Sequence, residues 1–180
     1  APDKTAKEPL LRESLSAAER AVGLQPDCAP ANKWLGISLS KCSSFEGTKE
    51  TIKKSFLVRD RFERACALDP ADATSRHLLG LWCFEVASLS WLEQKAASAL
   101  FATPPSATHE EAYAHFLAAE RIDPGFYPKN HLLLARSCDK LGKEEEARMW
   151  REHCLAQEVR SPEDICFPRL SLQSFMTEPM

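Results

Sequence analysis

Ala65-Cys-Ala-Leu68-Asp-Pro70-Ala71 reads as the closing turn of a helix, and the same ending stands at Ala21-Val-Gly-Leu24-Gln-Pro26-Asp27 and at Ala119-Glu-Arg-Ile122-Asp-Pro124-Gly125. In each copy a small residue is followed three positions later by an aliphatic one, and two positions after that by proline. The small residue lets two antiparallel helices approach closely, the aliphatic residue closes the core, and proline cannot continue the helix. Repetition of this ending predicts stacked helix hairpins.

Working outward, Leu35-Gly36 and Leu79-Gly80 place glycine ten residues past Pro26 and Pro70 respectively. A missing side chain there suits the place where the first helix of a hairpin meets the second. After Pro124 the equivalent pair is Leu134-Ala135, one residue late, followed by Gly142, Ala147 and Cys154 at tetratricopeptide spacing. A tetratricopeptide unit is about 34 residues long, whereas Pro26 to Pro70 spans 44 residues and Pro70 to Pro124 spans 54. Two segments are therefore inserted between first and second helices. One falls around 43–56 and carries Lys49, Lys53 and Lys54. The other, 89–105, reads as an extra helix, because Ser90-Trp-Leu-Glu93 is a capping box and Thr103-Pro-Pro-Ser106 is a break. A second box, Thr108-His-Glu-Glu111, starts the helix that follows. The fold class expected is all-α: a tetratricopeptide-like helical-hairpin solenoid with two inserted helical segments. Its expected organisation is an N-terminal extension over 1–9, truncated upstream, a solenoid over 10–158, and a poorly ordered tail over 159–180. In that reading Leu10 to Leu24 is only the second helix of a hairpin, and Ser161-Pro-Glu-Asp164 starts a helix that Cys166-Phe-Pro168 breaks.

Composition narrows the function classes. A chain of 180 residues, 44% hydrophobic and 27% charged, can bury one continuous core. Its six glycines leave no glycine-rich loop to cradle a phosphate. Seven cysteines, without CxxC spacing and several on apolar helix faces, read as reduced buried thiols of a cytosolic protein. Neither paired cysteines nor a His-x3-His run supports a metal site, and no cofactor is expected. No transmembrane segment is expected, since Glu85 interrupts the longest apolar run at Leu78 to Phe84. A net charge of −3 argues against general nucleic-acid binding. Two basic clusters remain: Lys49, Lys53, Lys54, Arg59, Arg61 and Arg64, then Lys129, Arg136, Lys140, Lys143, Arg148 and Arg151. The simpler reading is a pair of solvated helix faces partly neutralised by Glu50, Asp60, Glu63 and Glu144 to Glu146; the functional reading is docking on an acidic surface.

Catalysis has no motif to rest on. Cys83, His77, His115 and Glu110 can be named, but nothing joins them as nucleophile, base and orienting group, so the chain is expected not to be an enzyme. A helical array instead offers a concave groove lined by its first helices. Counting from Gly36, Gly80 and Ala135 places Lys33, Ile37, His77, Leu81, Phe84, Lys129, Leu132 and Arg136 on that surface. Trp91, opening the inserted helix, is expected to fold over the groove, against the simpler reading that it only completes the core. Lys33 and Lys129 fit the pattern that clamps acidic chaperone tails, but Ile37, Leu78 and Leu133 replace its asparagine, asparagine and arginine.

Leu78-Leu-Gly-Leu-Trp-Cys-Phe84, Leu89-Ser-Trp-Leu92 and Ala99-Leu-Phe-Ala-Thr-Pro-Pro-Ser-Ala-Thr108 closely resemble the regulator of microtubule dynamics family. The resemblance continues through Ala119 to Tyr127 and Asn130 to Leu134, and back to Lys33-Trp34 and Phe45-Glu-Gly47, covering about residues 10 to 158. It implies a cytoplasmic, microtubule- and spindle-associated tetratricopeptide-like scaffold whose partners are microtubules or tubulin and whose service is spindle organisation and chromosome segregation. In this reading Lys49, Lys53, Lys54, Lys140 and Lys143 contact the acidic tubulin surface. The resemblance also implies that some members of the family carry an N-terminal membrane anchor, and that one relative, whose similar domain binds phospholipid, tethers mitochondria to the endoplasmic reticulum. The alternative implied is therefore a phospholipid-binding module at organelle contacts, with mitochondrial association through an upstream region. A linear peptide is a third expected partner.

Overall fold

Several helix starts and stops have a local cause. Asp72 caps one helix by accepting from the Thr74 amide at 3.1 Å. Ser90 with Glu93 and Thr108 with Glu111 both form the reciprocal capping boxes expected from sequence. Pro128 opens another helix in its first turn, where its missing amide costs nothing. Gly125 (φ 73°) and Gly142 (φ 69°) take the left-handed turns that follow two helices, a conformation that side chains disfavour.

The computed structural model describes residues 4–43, 45–46, 48–101 and 104–157. It contains α1 (Lys4–Leu24), α2 (Ala29–Ser43), α3 (Thr48–Leu68), α4 (Ala73–Ala87), α5 (Trp91–Leu100), α6 (His109–Ile122), α7 (Pro128–Lys140) and α8 (Glu144–Ala156), with no strand among the described residues. The expected tail over 159–180, including the Ser161-Pro162 helix start and Cys166, lies outside the described residues. Helix α1 starts at Lys4 and runs through Pro9, so helix occupies much of the stretch read as an extension.

The hairpins are α2 with α3, α4 with α6, and α7 with α8, and successive hairpins stack through α3 on α4 and α6 on α7. The glycine argument accounts for the joints. A methyl group at Gly36 would stand 2.5 Å from the Phe62 ring, and one at Gly80 would stand 2.8 Å from the Phe116 ring. Phe62, Ala65, Phe116 and Ala119 are all buried, the last three fully. The core runs through all the hairpins, from Leu35, Val58 and Phe62 through Leu79, Trp82 and Phe116 to Leu134, Ala147 and Trp150.

The two insertions differ in form. The first lengthens α3 to 21 residues. The second is the separate helix α5, and it corrects an expectation. This helix packs against α3, with the Phe101 ring 6.1 Å from that of Phe56, and none of its described residues lines the concave face. Trp91 is 67% exposed, and its ring carries the Lys95 ammonium at 4.1 Å. The physical reason is that α3, longer by its insertion, offers Phe56 as an apolar seat on the other side of the stack.

Candidate concave groove

First helices α2 and α4, with the turn entering α7, enclose a groove of about 850 Å³. Its walls include Ile37, Leu78 and Leu81, half-buried residues that the core leaves partly open. Val58, Phe62 and Trp82 form its floor, and Phe126, Tyr127 and Lys129 close one side. Lys41 and Glu85 complete the polar lining. Glu85 reaches solvent, yet crowding by the groove walls pushes its carboxyl upward, while Lys129 and Lys41 pull it back. Two cations and one carboxylate thus border an apolar surface.

The groove is anchored from beneath by a buried polar network. His77 is 3% exposed, and its Nδ1 lies 3.0 Å from Asn130 Oδ1. Asn130 Nδ2 donates to the Phe116 carbonyl at 3.1 Å, so its oxygen faces His77 and the imidazole Nδ1 donates. Phe116, Phe126 and Tyr127 surround the ring at 5.2–6.0 Å between centroids. Burial drives the His77 pKa down to about 4; the Asn130 bond opposes that fall, and nearby Lys129 deepens it. A neutral, caged imidazole of this kind ties α4 to α7.

Of the residues expected in the groove, Ile37, His77, Leu81 and Lys129 come together there. Others are placed elsewhere. Lys33 bridges Asp72 at 2.7 Å, and Asp72 also accepts from Ser75 at 2.6 Å. Burial raises the Asp72 carboxyl, but the Lys33 and Ser75 bonds outweigh it and hold the group below the usual range. Lys33 is thereby a strap from α2 to the start of α4. Phe84 is buried against the His109 ring at 5.2 Å, with the exposed Arg136 guanidinium 5.4 Å over it. Leu132 is buried in α7. Sequence reading missed Lys41 and Glu85, each one helical turn beyond a chosen residue, Ile37 and Leu81. The i, i+4 rule could have found both. Phe126 and Tyr127 come from a turn, which repeat counting does not reach.

The basic clusters are largely committed to local pairs. Arg59 meets Glu63 at 2.7 Å, Arg61 meets Asp60 at 2.8 Å, Lys54 meets Glu46 at 2.5 Å, and Arg64 meets Asp27. In the second cluster Arg148 meets Glu145 at 2.5 Å, Lys143 meets Glu146 at 3.4 Å, and Arg151 meets Asp139. Lys49, Lys53 and Lys140 are exposed. The clusters lie on α3 and on α7 with α8, which pack in different hairpins.

Among the described residues no group of three or more His, Cys, Asp or Glu is placed to hold a metal ion. Burial pushes the Cys83 and Cys138 thiols up to about 11, which disfavours the thiolate a nucleophile needs. No helix among the described residues is long and apolar enough to cross a membrane.

The family model described as "Regulator of microtubule dynamics protein 1-3" matches residues 1–169. The chain belongs to the regulator of microtubule dynamics family. Within the family, regulator of microtubule dynamics protein 1 of Mus musculus is 39% identical over 158 residues, covering 88% of this chain and 52% of the relative. The Homo sapiens protein 1 is 41% identical over 144 residues, covering 80% and 46%. Regulator of microtubule dynamics protein 3 of Xenopus laevis is 38% identical over 150 residues, covering 83% and 32%. The chain therefore spans about half the length of its protein 1 relatives or less. Among solved structures, MamA MSR-1 C2 aligns with a TM-score of 0.53 at 17% identity, covering 83% of this chain and 68% of that one. The MamA RS-1 double mutant aligns at 0.56 and 17%, covering 83% and 67%. These likenesses establish the tetratricopeptide-like fold alone.

Proposed function

We propose that this chain is a non-catalytic, microtubule-associated scaffold and that its concave groove seats the partner. The observation that carries this reading is the groove lining itself: half-open Ile37, Leu78 and Leu81 beside Lys41, Lys129 and Glu85. Such a surface suits an extended acidic segment that brings some apolar area, and the family name directs attention to tubulin. The exposed Lys49, Lys53 and Lys140, with Lys54 and Lys143 beside them, add a longer-range attraction to an acidic lattice. That attraction fades with salt, because exposed charges are screened beyond about 8 Å at physiological ionic strength. Cytoplasmic placement on microtubules, and service in spindle organisation and chromosome segregation, extend the same reading.

Microtubule co-sedimentation over a salt series tests it. Replacing Leu81 and Lys129 together by Glu should abolish pelleting at every salt concentration. Reversing Lys49, Lys53, Lys54, Lys140 and Lys143 should weaken pelleting at low salt and change it little at high salt. Unimpaired pelleting of the groove variant overturns the seat.

One observation favours a second reading, a phospholipid-binding module at contacts between endoplasmic reticulum and mitochondria. The groove volume of about 850 Å³ lies within the roughly 300–1,000 Å³ of small-molecule sites, and its apolar walls end at cations, as an amphiphile requires. Native mass spectrometry of the purified chain distinguishes the two: a retained phospholipid displaced by Leu81→Glu supports the second reading, and an empty groove opposes it. A linear peptide would compete for the same walls.

A further inference from the structure

The chain leaves α8 beside the groove. Cys154, near the end of α8, donates its thiol to the Pro128 carbonyl at 3.4 Å, which holds that end against the start of α7. Three residues on, Gln157 Nε2 donates to the Gly125 carbonyl at 2.6 Å. Gly125 immediately precedes Phe126 and Tyr127, which close one side of the groove, and Lys129 stands just beyond them. From that side the groove passes Leu78 and Leu81 of α4 and reaches Ile37 and Lys41 of α2. Gln157 is therefore pinned at the groove's edge.

The sequence that follows Gln157 has the composition this surface suits. Ser161-Pro-Glu163-Asp164-Ile165-Cys166-Phe167-Pro168 sets two carboxylates directly before three apolar residues. Leaving Gly125, the groove offers its features in the same order, Lys129 first and the aliphatic walls of α4 and α2 after it. The lengths agree as well. An extended chain advances about 3.3 Å per residue, so Glu163 can lie up to roughly 20 Å from Gln157 and Phe167 up to roughly 33 Å. Neighbouring helices pack roughly 8–10 Å apart, which puts the far wall on α2 about 20 Å from α7. A short tether also keeps the segment at about millimolar effective concentration, so a contact with a Kd near 0.1 mM would fill the groove about nine-tenths of the time.

We propose that residues 161–168 dock in the groove of their own chain, with Glu163 and Asp164 toward Lys129 and with Ile165 and Phe167 against Leu78, Leu81 and Ile37. The proposal rests on the groove as a seat, and adds that a partner must displace a segment the chain itself supplies. The partner's apparent affinity is then scaled down by the fraction of chains whose groove is open. Without a partner, the segment covers apolar walls that would otherwise face water.

Photo-crosslinking within the 180-residue chain, with no partner present, tests the contact. A photoreactive amino acid replaces Leu81 in one protein and the exposed groove residue Ser40 in a second. Each is irradiated at about 1 µM, far below the effective concentration of a tethered segment. Trypsin then releases residues 161–169 as one peptide, because Arg160 and Arg169 bound it. The expected result is that peptide joined to position 81 and to position 40, at the mass of a single chain. Ser40 keeps the test decisive even where a probe at Leu81 disturbs packing. A third protein carries the probe at Met149, 40% exposed on α8, where a segment continuing the helical array would lie. Capture from position 149 in place of 81 and 40, capture only at twice the chain mass, or capture from none of the three overturns the proposal. Glu163→Lys with Asp164→Lys should cut capture about tenfold, and adding Lys129→Glu should restore it, as electrostatic complementarity demands. Capture indifferent to these charges overturns the proposal equally. Failure here leaves the partner's seat standing, whereas unimpaired pelleting of the groove variant, with capture intact, removes the seat alone.

Discussion

On the outer helices Arg59 faces Glu63, Lys54 faces Glu46 and Arg148 faces Glu145, whereas in the groove Lys41 and Lys129 border half-open leucines and share Glu85 as their carboxylate neighbour. Counting basic residues along the chain ranks the outer clusters first. Pairing lowers the rank of the outer clusters, because an exposed ion pair returns little energy on its own and offers less net charge to a partner. The groove combines charge with apolar area, and that combination distinguishes a seat from a solvated face.

The contrast breaks most completely if the joints that hold the groove open are lost. Phe116→Ala removes the ring that packs under Gly80 and beside His77, and should cost about 3–5 kcal/mol, as for other buried aromatic residues. Thermal melting monitored by circular dichroism should fall by roughly 10 °C, since a chain of this size loses about 2–4 °C per kcal/mol. Gly80→Val should also destabilise, because the new side chain meets Phe116 and the His115 backbone-proximal carbon at 2.8–3.1 Å. If both variants melt like the parent, the joint is not what positions the walls.

Next in size is a pH effect from beneath the groove. His77 has a folded pKa of about 4, below the ordinary 6.5, so the unfolded chain binds the proton more readily between those values. The stability is complete above about pH 6.5 and is lost as pH falls toward 4, by roughly 3 kcal/mol from this group. His77→Gln can still donate to Asn130 but cannot take up a proton. Urea unfolding at pH 5 and pH 7 should therefore give a smaller difference for the variant than for the parent; equal differences would contradict a caged neutral imidazole.

Much of this architecture was legible in the sequence, and the residues explain why. The Ala-x-x-aliphatic-x-Pro ending and the Leu-Gly pairs report backbone geometry and close packing, which depend on neighbours a few positions away; the Ser90 and Thr108 boxes are equally local. Ile37, His77, Leu81 and Lys129 were legible for the same reason. Lys33 was misplaced because its ammonium is taken by Asp72, 39 positions on, and Phe84 because α6 brings His109 against it. Trp91 was misplaced because the seat of α5 depends on Phe56 and Phe101, whose meeting follows from the length of α3. Long-range partners of this kind leave no periodic trace.

The smallest effect sharpens that last point. Trp91→Ala should change stability by less than about 1 kcal/mol, the scale of an exposed cation–π contact, and leave partner binding intact. A large loss of melting temperature would mean that the indole has a packing role after all, and lost binding would extend the groove to α5.

The most direct test of the groove as the partner's seat is site-specific photo-crosslinking on microtubules. A photoreactive amino acid is placed at Leu81 in one protein and at Lys53 in another. Capture of tubulin from position 81, with little or none from position 53, is the expected result. Capture from position 53 alone would contradict it and return the contact to the lysine-rich outer helix.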